Sequence, residues 1–287
     1  MLPTFLQIIL LGLIQGAAEL LPVSSSAHVI VAEKLMRLDP SRPEMSFLLV
    51  MLHTGTMLAV IAYFWRAWRE SFFSSRAQFV EAAKKIIVAS FCTAVVYLAL
   101  KFLIEKVVLG GGSKAEVEQL FSSLPLLAGA LFAAGALILW SAFQSRTDAA
   151  GAEVTLRSSI WIGSVQGICV PFRGFSRSGS TISVGMLAGA GRRRAEVFSF
   201  ALAVVLTPAA IAQEFLRLLE ARHAEAVPTP LIHLLQPGLV GMLASFAAGL
   251  LALAWLSRWL ETGRWQRFGY YCLAAAAVIF VLAENGF

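Results

Sequence analysis

The chain has 287 residues, of which 58% are hydrophobic and 14% charged, with a mean hydropathy of +0.76; so much apolar surface cannot be hidden in one water-soluble core of this size. The formal net charge of +6 belongs mainly to short loops, where basic residues set membrane topology, and argues against a nucleic-acid partner. Cys92, Cys169 and Cys272 lie far apart in apolar runs and are odd in number, which argues against a disulfide framework or cysteine metal cluster and favours reading them as small buried hydrophobes.

In chain order, the run from Pro3 to Leu21 lacks a basic leader and carries Gln15 and Glu19 where a signal peptide stays apolar, so it is read as mature structure. Pro22 and three serines interrupt it. The following piece, Ser24 to Leu38, is too short to cross a bilayer, which takes about 20 apolar residues. Spanning helices are predicted near 46–65, 83–106 and 120–144. A second interrupted pair, Ser158 to Val170 and Ser178 to Ala190, precedes predicted spans at 195–218, 234–257 and 266–285, giving six full crossings.

The two interruptions match. Gln15-Gly-Ala-Ala-Glu-Leu-Leu-Pro-Val-Ser-Ser-Ser-Ala-His28 and Gln166-Gly-Ile-Cys-Val-Pro-Phe-Arg-Gly-Phe-Ser-Arg-Ser-Gly-Ser-Thr181 each begin Gln-Gly on an apolar run, meet a proline and end in serines. Both read as re-entrant helical hairpins, whose irregular tips are tolerated at membrane depth only when buried in protein or lining a cavity. Downstream, Ser46-Phe-Leu-Leu-Val-Met-Leu-His-Thr54 aligns with Ser199-Phe-Ala-Leu-Ala-Val-Val-Leu-Thr207; the offset is 151 residues at the Gln-Gly pair and 153 here. The expected fold is therefore an all-α integral membrane domain over 1–287, made of two inverted-topology repeats (1–145 and 151–287). Each repeat has one re-entrant hairpin plus three transmembrane helices, since an odd number of crossings inverts the second.

Loop charge predicts the orientation. Placing Arg66 to Lys85, Arg146 to Arg157, Arg192 to Arg194 and Arg258 to Arg267 in the cytoplasm gathers thirteen Lys or Arg there, against seven outside (Lys34, Arg37, Arg42, Lys106, Lys114, Arg217, Arg222). Arg192 to Arg194 is read as a topology anchor, with lipid head-group binding as a second reading.

Charged groups at membrane depth cost roughly 2.5–3.5 kcal/mol each on insertion scales, so polar breaks of this kind mark a site. Gln15 and Glu19, at i and i+4, share a helix face. Such a carboxylate can hold a divalent cation or act as general acid or base, the bland alternative being a helix–helix hydrogen-bonding pair. Ser24, Ser25 and Ser26 stand where a half-helix starts and can cap it or offer hydroxyls, and a helix N-terminus attracts phosphate. His28 follows one turn later, as catalytic imidazole or as structural residue. In the second break Gly174 and Gly179 allow close backbone approach, and Ser176, Ser178 and Thr181 are among its hydroxyls. Arg177 presents a planar fork suited to phosphate oxygens and Arg173 adds a second cation. An Arg177–Glu19 ion pair is the plain alternative. An acidic break and a basic, hydroxyl-rich break together describe a phosphate site with a metal position, for a substrate with a lipid tail.

With these motifs in view, the chain resembles the BacA-type undecaprenyl-diphosphate phosphatases. Residues 15–28 fit the family's Glu/Gln-x-x-x-Glu motif with its Pro-Val-Ser-Ser continuation, and Gly174-Phe-Ser-Arg-Ser-Gly-Ser-Thr-Ile182 fits its Pro-Gly-x-Ser-Arg-Ser-Gly-x-Thr motif. The resemblance implies a bacterial inner-membrane enzyme, open to the periplasmic side, that removes the terminal phosphate of undecaprenyl diphosphate. It would recycle the carrier for peptidoglycan synthesis and confer bacitracin resistance, with help from Mg2+ or Ca2+. By motif position Glu19 would be the acid/base or metal-binding carboxylate, Ser25 or His28 the nucleophile or its activator, and Arg177 the diphosphate clamp. Ser24, Ser26, Arg173, Gly174, Ser176, Ser178, Gly179 and Thr181 would line the substrate, and Gln15 would join Glu19 at the metal. The partners implied are a polyprenyl diphosphate and the bilayer, with a homodimer allowed.

Two departures stand out. Gln15 occupies a position where many members have Glu, which removes one anionic ligand, and Phe172 and Arg173 separate Pro171 from Gly174. His53 is a candidate to compensate, beside a structural role. The rival classes are a polyprenyl-phosphate flippase or transporter, because broken helices also build transporters, and a non-catalytic lipid-binding relative.

Overall fold

The computed structural model describes residues 3–39, 43–108, 123–144, 152–223 and 231–285. Among them every regular element is helical: α1 (Phe5–Leu20), α2 (Ser25–Leu35), α3 (Pro43–Ser71), α4 (Arg76–Leu103) with a π-helical turn at Ile104–Val108, α5 (Leu124–Gln144), α6 (Leu156–Cys169), α7 (Arg177–Leu187), α8 (Arg192–His223), α9 (Leu231–Glu261) and α10 (Gln266–Glu284). The expected half-boundaries at 145 and 151, the start of the 120–144 span, and the loop residues Arg42, Lys114 and Arg146 lie outside the described residues, as do the side chains of Arg217 and Arg222.

Among the described residues, five stretches are long and apolar enough to cross a membrane: Met45–Ser71, Arg76–Lys106, Leu124–Gln144, Leu235–Glu261 and Gln266–Glu284. They coincide with five of the six predicted spans and mostly run longer. The helices overrun the apolar intervals because an α-helix continues until a cap or breaker stops it, not where hydropathy falls. The sixth interval, 195–218, lies on α8, which continues through Pro208; some of its side chains are outside the described ones.

The broken segments form as expected. Each begins with the same device, a threonine whose hydroxyl accepts an early backbone N–H of the helix while the third residue caps back. In α1, Gln7 N–H donates to Thr4 Oγ1 (3.3 Å) and Thr4 N–H to Gln7 Oε1 (2.8 Å). In α6, Ser158 N–H donates to Thr155 Oγ1 (3.1 Å) and Thr155 N–H to Ser158 Oγ (2.7 Å). Helices α1 and α2 pack against each other, and so do α6 and α7.

The chain forms two compact units. The first takes 1–21, 25–66 and 203–256; the second takes 22–24, 67–202 and 257–287. In the first unit Ile8 and Leu11 of α1, Val29 and Ala32 of α2, and Met45, Leu48 and Leu52 of α3 bury one apolar cluster, with Val240 of α9 packed on it. Helix α1 meets α9 backbone to backbone. A β-carbon at Gly16 would clash with the Ser245 carbonyl oxygen and lie 2.8 Å from Ala248 Cβ, and one at Gly12 would lie 2.8 Å from Ala244 Cβ. The hydroxyl of Ser245 donates to the Leu52 carbonyl at 2.7 Å, so α9 also grips α3.

In the second unit α4 pairs with α6, and α5 with α10 and α7. The Thr93 hydroxyl lies 2.9 Å from both the Ala89 and Gly163 carbonyls, between α4 and α6. The Trp265 indole, 1% exposed, places its N–H 3.1 Å from Ser141 Oγ and 3.2 Å from Ser183 Oγ, joining α5 and α7 at the start of α10. Glu196, fully buried on α8, accepts Ser257 Oγ at 2.5 Å and Arg193 Nη1 at 2.8 Å. Arg194 donates to Ser71 (2.7 Å) and pairs with Glu153 (3.0 Å). Arg193 and Arg194 thus fasten the beginning of α8 to its neighbours, work that their clustering in sequence does not reveal. Buried charges persist only when paired and hydrogen-bonded, and Glu196 satisfies that condition with one partner on each carboxylate oxygen.

Candidate functional site

Glu19 stands one residue from the end of α1, where the helix stops before Pro22, and Ser25 is the first residue of α2. The Ser25 hydroxyl donates to Glu19 Oε2 at 2.5 Å, and Gln15 Nε2 donates to the same oxygen at 3.3 Å. Gln15 is buried and Glu19 and Ser25 are half-buried. The i, i+4 pair is therefore formed, and it includes a hydroxyl from the next helix. A bond this short from a neutral hydroxyl to a carboxylate is charge-assisted. Ser26 and His28 are half-buried on α2, with His28 one turn beyond Ser25. His53 points its Nδ1 at the Leu49 carbonyl, 2.8 Å away on its own helix. That oxygen can only accept, so Nδ1 carries the proton.

The other half of the candidate set lies in the second unit. Ser24 has a left-handed backbone, φ 66°, a conformation costing about 1–3 kcal/mol at a residue with a side chain. Its hydroxyl donates to the Arg173 carbonyl at 3.0 Å, which ties the first break to the second across 149 residues of sequence. The Pro22 carbonyl accepts the Cys272 thiol at 3.1 Å, so Pro22 and Ser24 are both held. Ser24 has its hydroxyl on Arg173, and the next residue, Ser25, has its hydroxyl on Glu19.

In the second break, Gly174 is required by a neighbour: a β-carbon there would overlap the Leu127 carbonyl oxygen and approach Ala130 Cβ to 2.9 Å. Ser176 is the N-cap of α7 and accepts Gly179 N–H at 3.3 Å. Arg177 is the first residue of the helix; Ser178, Gly179 and Thr181 are buried, and Arg173 is exposed. The Thr181 hydroxyl reaches the Arg177 carbonyl at 2.7 Å and lies 2.6 Å from Ser199 Oγ of α8. Its neighbour Phe200 places a ring 5.6 Å from the Arg177 guanidinium carbon. The geometry thus groups Gln15, Glu19 and Ser25 in one unit and Ser24, Arg173, Ser176, Arg177 and Thr181 in the other.

These residues fall within a match to the protein family described as bacitracin resistance protein BacA, which spans residues 8–278. The chain belongs to this family. It is 54% identical over 280 residues to the undecaprenyl-diphosphatase 2 of Acinetobacter baylyi, covering 97% of this chain and 98% of that one. It is 32% identical to the undecaprenyl-diphosphatase of Desulfatibacillum aliphaticivorans (96% and 98% covered) and 34% identical to that of Korarchaeum cryptofilum (96% and 98% covered). Like its family, the chain is a multi-pass membrane protein.

In this BacA-family chain the segment around Phe172, Arg173 and Gly174 folds into tight turns, with Phe175 N–H on the Phe172 carbonyl (2.8 Å) and Ser176 N–H on the Gly174 carbonyl (3.0 Å). Ser199 and Phe200 were not candidates from sequence. They sit in an apolar stretch that reads as an ordinary span, and its likeness to Ser46-Phe47 signals only repetition. Cys169, at the end of α6, is held by its own helix, donating to the Val165 carbonyl at 3.2 Å.

Proposed function

We propose that this protein hydrolyses undecaprenyl diphosphate to undecaprenyl phosphate and inorganic phosphate. The observation that carries the reading is the 2.5 Å hydrogen bond from Ser25 to Glu19, a nucleophile within reach of its base, in a chain whose relatives bear the name of that activity. In the first step the Ser25 oxygen bonds to the terminal phosphorus while its proton passes to Glu19. The bridging P–O bond breaks, and undecaprenyl phosphate leaves with the bond pair. Glu19 releases that proton to solvent, then takes one from the water that attacks the phosphoserine; Ser25 leaves and is reprotonated. Arg177 and the amides at the start of α7 neutralise the diphosphate and the charge growing on the leaving group, which is where most of the acceleration in phosphoryl transfer arises.

Among the described residues no three His, Cys, Asp or Glu side chains come together as a metal cage. Mg2+ is commonly held by one or two carboxylates plus substrate phosphates. Glu19, with the Gln15 amide beside it, would hold such an ion, which would supply charge neutralisation on the phosphates. Gln15→Glu is expected to tighten activation by Mg2+ or Ca2+, since an anionic oxygen binds a hard cation better than an amide. Without metal the same change brings two carboxylates together one turn apart, and activity becomes more pH-dependent. A metal titration of phosphate release that is unchanged by the substitution would remove the ion from this helix face and leave Glu19 to proton transfer alone.

The membrane arrangement belongs to the same proposal. The two hairpins re-enter from opposite sides of a bacterial inner membrane in an inverted repeat, with the site open to the periplasm. The matching caps of α1 and α6 and the bias of basic loops support this reading. Purified protein in detergent should release phosphate from undecaprenyl diphosphate. A flippase has no reaction to show without a bilayer, and a purely lipid-binding relative has none at all, so a folded sample that binds the lipid without releasing phosphate would refute hydrolysis.

A further inference from the structure

We propose that Phe200 is a positioning residue for Arg177, holding the guanidinium by its ring face in the orientation that grips the diphosphate; the inference rests on the reading of Arg177 as the clamp. The Arg177 guanidinium carbon lies 5.6 Å from the centroid of the Phe200 ring, inside the roughly 6 Å range over which a cation is attracted by the ring quadrupole. Phe200 is 0% exposed, so the contact is desolvated on the ring side, where such attraction is strongest.

A ring attracts the cation through its quadrupole without neutralising it, so an aromatic support leaves the charge of Arg177 in place for a phosphate.

The backbone of the same residue is fixed from the adjacent position on α8. The Arg177 carbonyl can only accept, so the Thr181 proton goes to it (2.7 Å), and the Ser199 hydroxyl, 2.6 Å from Thr181, supplies its own proton to Thr181. Ser199 and Phe200 are both fully buried. Two consecutive residues of one helix thus hold the clamp, one through the peptide of Arg177 and one through its side chain. Apolar packing alone would need neither the hydroxyl relay nor a ring at this place.

The test replaces Phe200 with 4-fluoro-, 3,5-difluoro- and 3,4,5-trifluorophenylalanine, which drain the ring face of electron density at nearly constant volume, alongside Phe200→Leu and Arg177→Ala. Phosphate release from undecaprenyl diphosphate and thermal melting are measured for each. Because the clamp acts on charge that grows in the transition state, the expected result is a stepwise fall in kcat with each fluorine, with KM changing less and the melting temperature constant. The total fall is on the order of tenfold. Phe200→Leu should lie at or below the bottom of the series. Constant kcat across the fluorinated proteins, or a fall matched by falling melting temperature, would overturn the proposal even where Phe200→Leu fails to fold. Arg177→Ala separates the two levels. If it keeps near wild-type turnover, the clamp reading itself is lost and this inference with it; if it is inactive while the fluorinated series is flat, only the role of Phe200 is lost.

Discussion

Replacing Glu19 by alanine is expected to lower phosphate release by about 10²- to 10⁴-fold, the usual worth of a positioned general base. The side chain is the acceptor of both Ser25 and Gln15, so its removal leaves the serine with no base and strips the helix face of its anionic oxygens. Glu19→Gln should be nearly as inactive while keeping the shape of the side chain, because an amide cannot take the proton. Detergent assays on variants whose melting matches wild type provide the measurement. Near wild-type release by either variant would end the assignment of Glu19 as base, and with it the proposed mechanism.

Ser25→Ala should have an effect as large or larger. Deleting the nucleophile abolishes the covalent route, whereas His28→Ala should leave measurable turnover, since the hydroxyl already has its base. Rapid acid quenching should trap an acid-stable phosphoserine that disappears in Ser25→Ala. An acid-labile phosphohistidine lost in His28→Ala would transfer the role to His28. Full activity of both variants would leave attack by water activated at Glu19.

Much of this arrangement is legible in the sequence, for identifiable reasons. Helix breaks are local events: Pro22, Pro171 and the serine clusters break or cap a helix wherever they occur, so the start of α2 at Ser25 and of α7 at Arg177 follows from nearest neighbours. The i, i+4 rule likewise places Gln15 beside Glu19. What local rules do not supply is pairing at a distance. Nothing around Ser24 indicates a positive φ, because the hydrogen bond that accompanies it lies on Arg173. Nothing around Phe200 distinguishes it from the lipid-facing phenylalanines of other spans until Arg177 is seen beside it. The triplet Arg192 to Arg194 looks like a topology signal, and its second task becomes visible only with Glu196, Ser257 and Ser71 in place. The π-helical turn at Ile104–Val108 has no residue that announces it.

The close seat of α1 on α9 has a consequence for biosynthesis. Gly12 and Gly16 present bare backbone for Ala244, Ser245 and Ala248, and those residues are translated near the end of the chain. When α1 to α3 leave the ribosome α9 does not yet exist, and the translocon must release a segment in which the glycine face of α1 is uncovered. Such an intermediate invites capture by lipid, by a membrane chaperone or by a quality-control protease. A nascent chain that stops before α9 keeps the packing of α1 on α2 and α3 but leaves Gly12 and Gly16 uncovered, so this stretch of α1 is completed long after it is made.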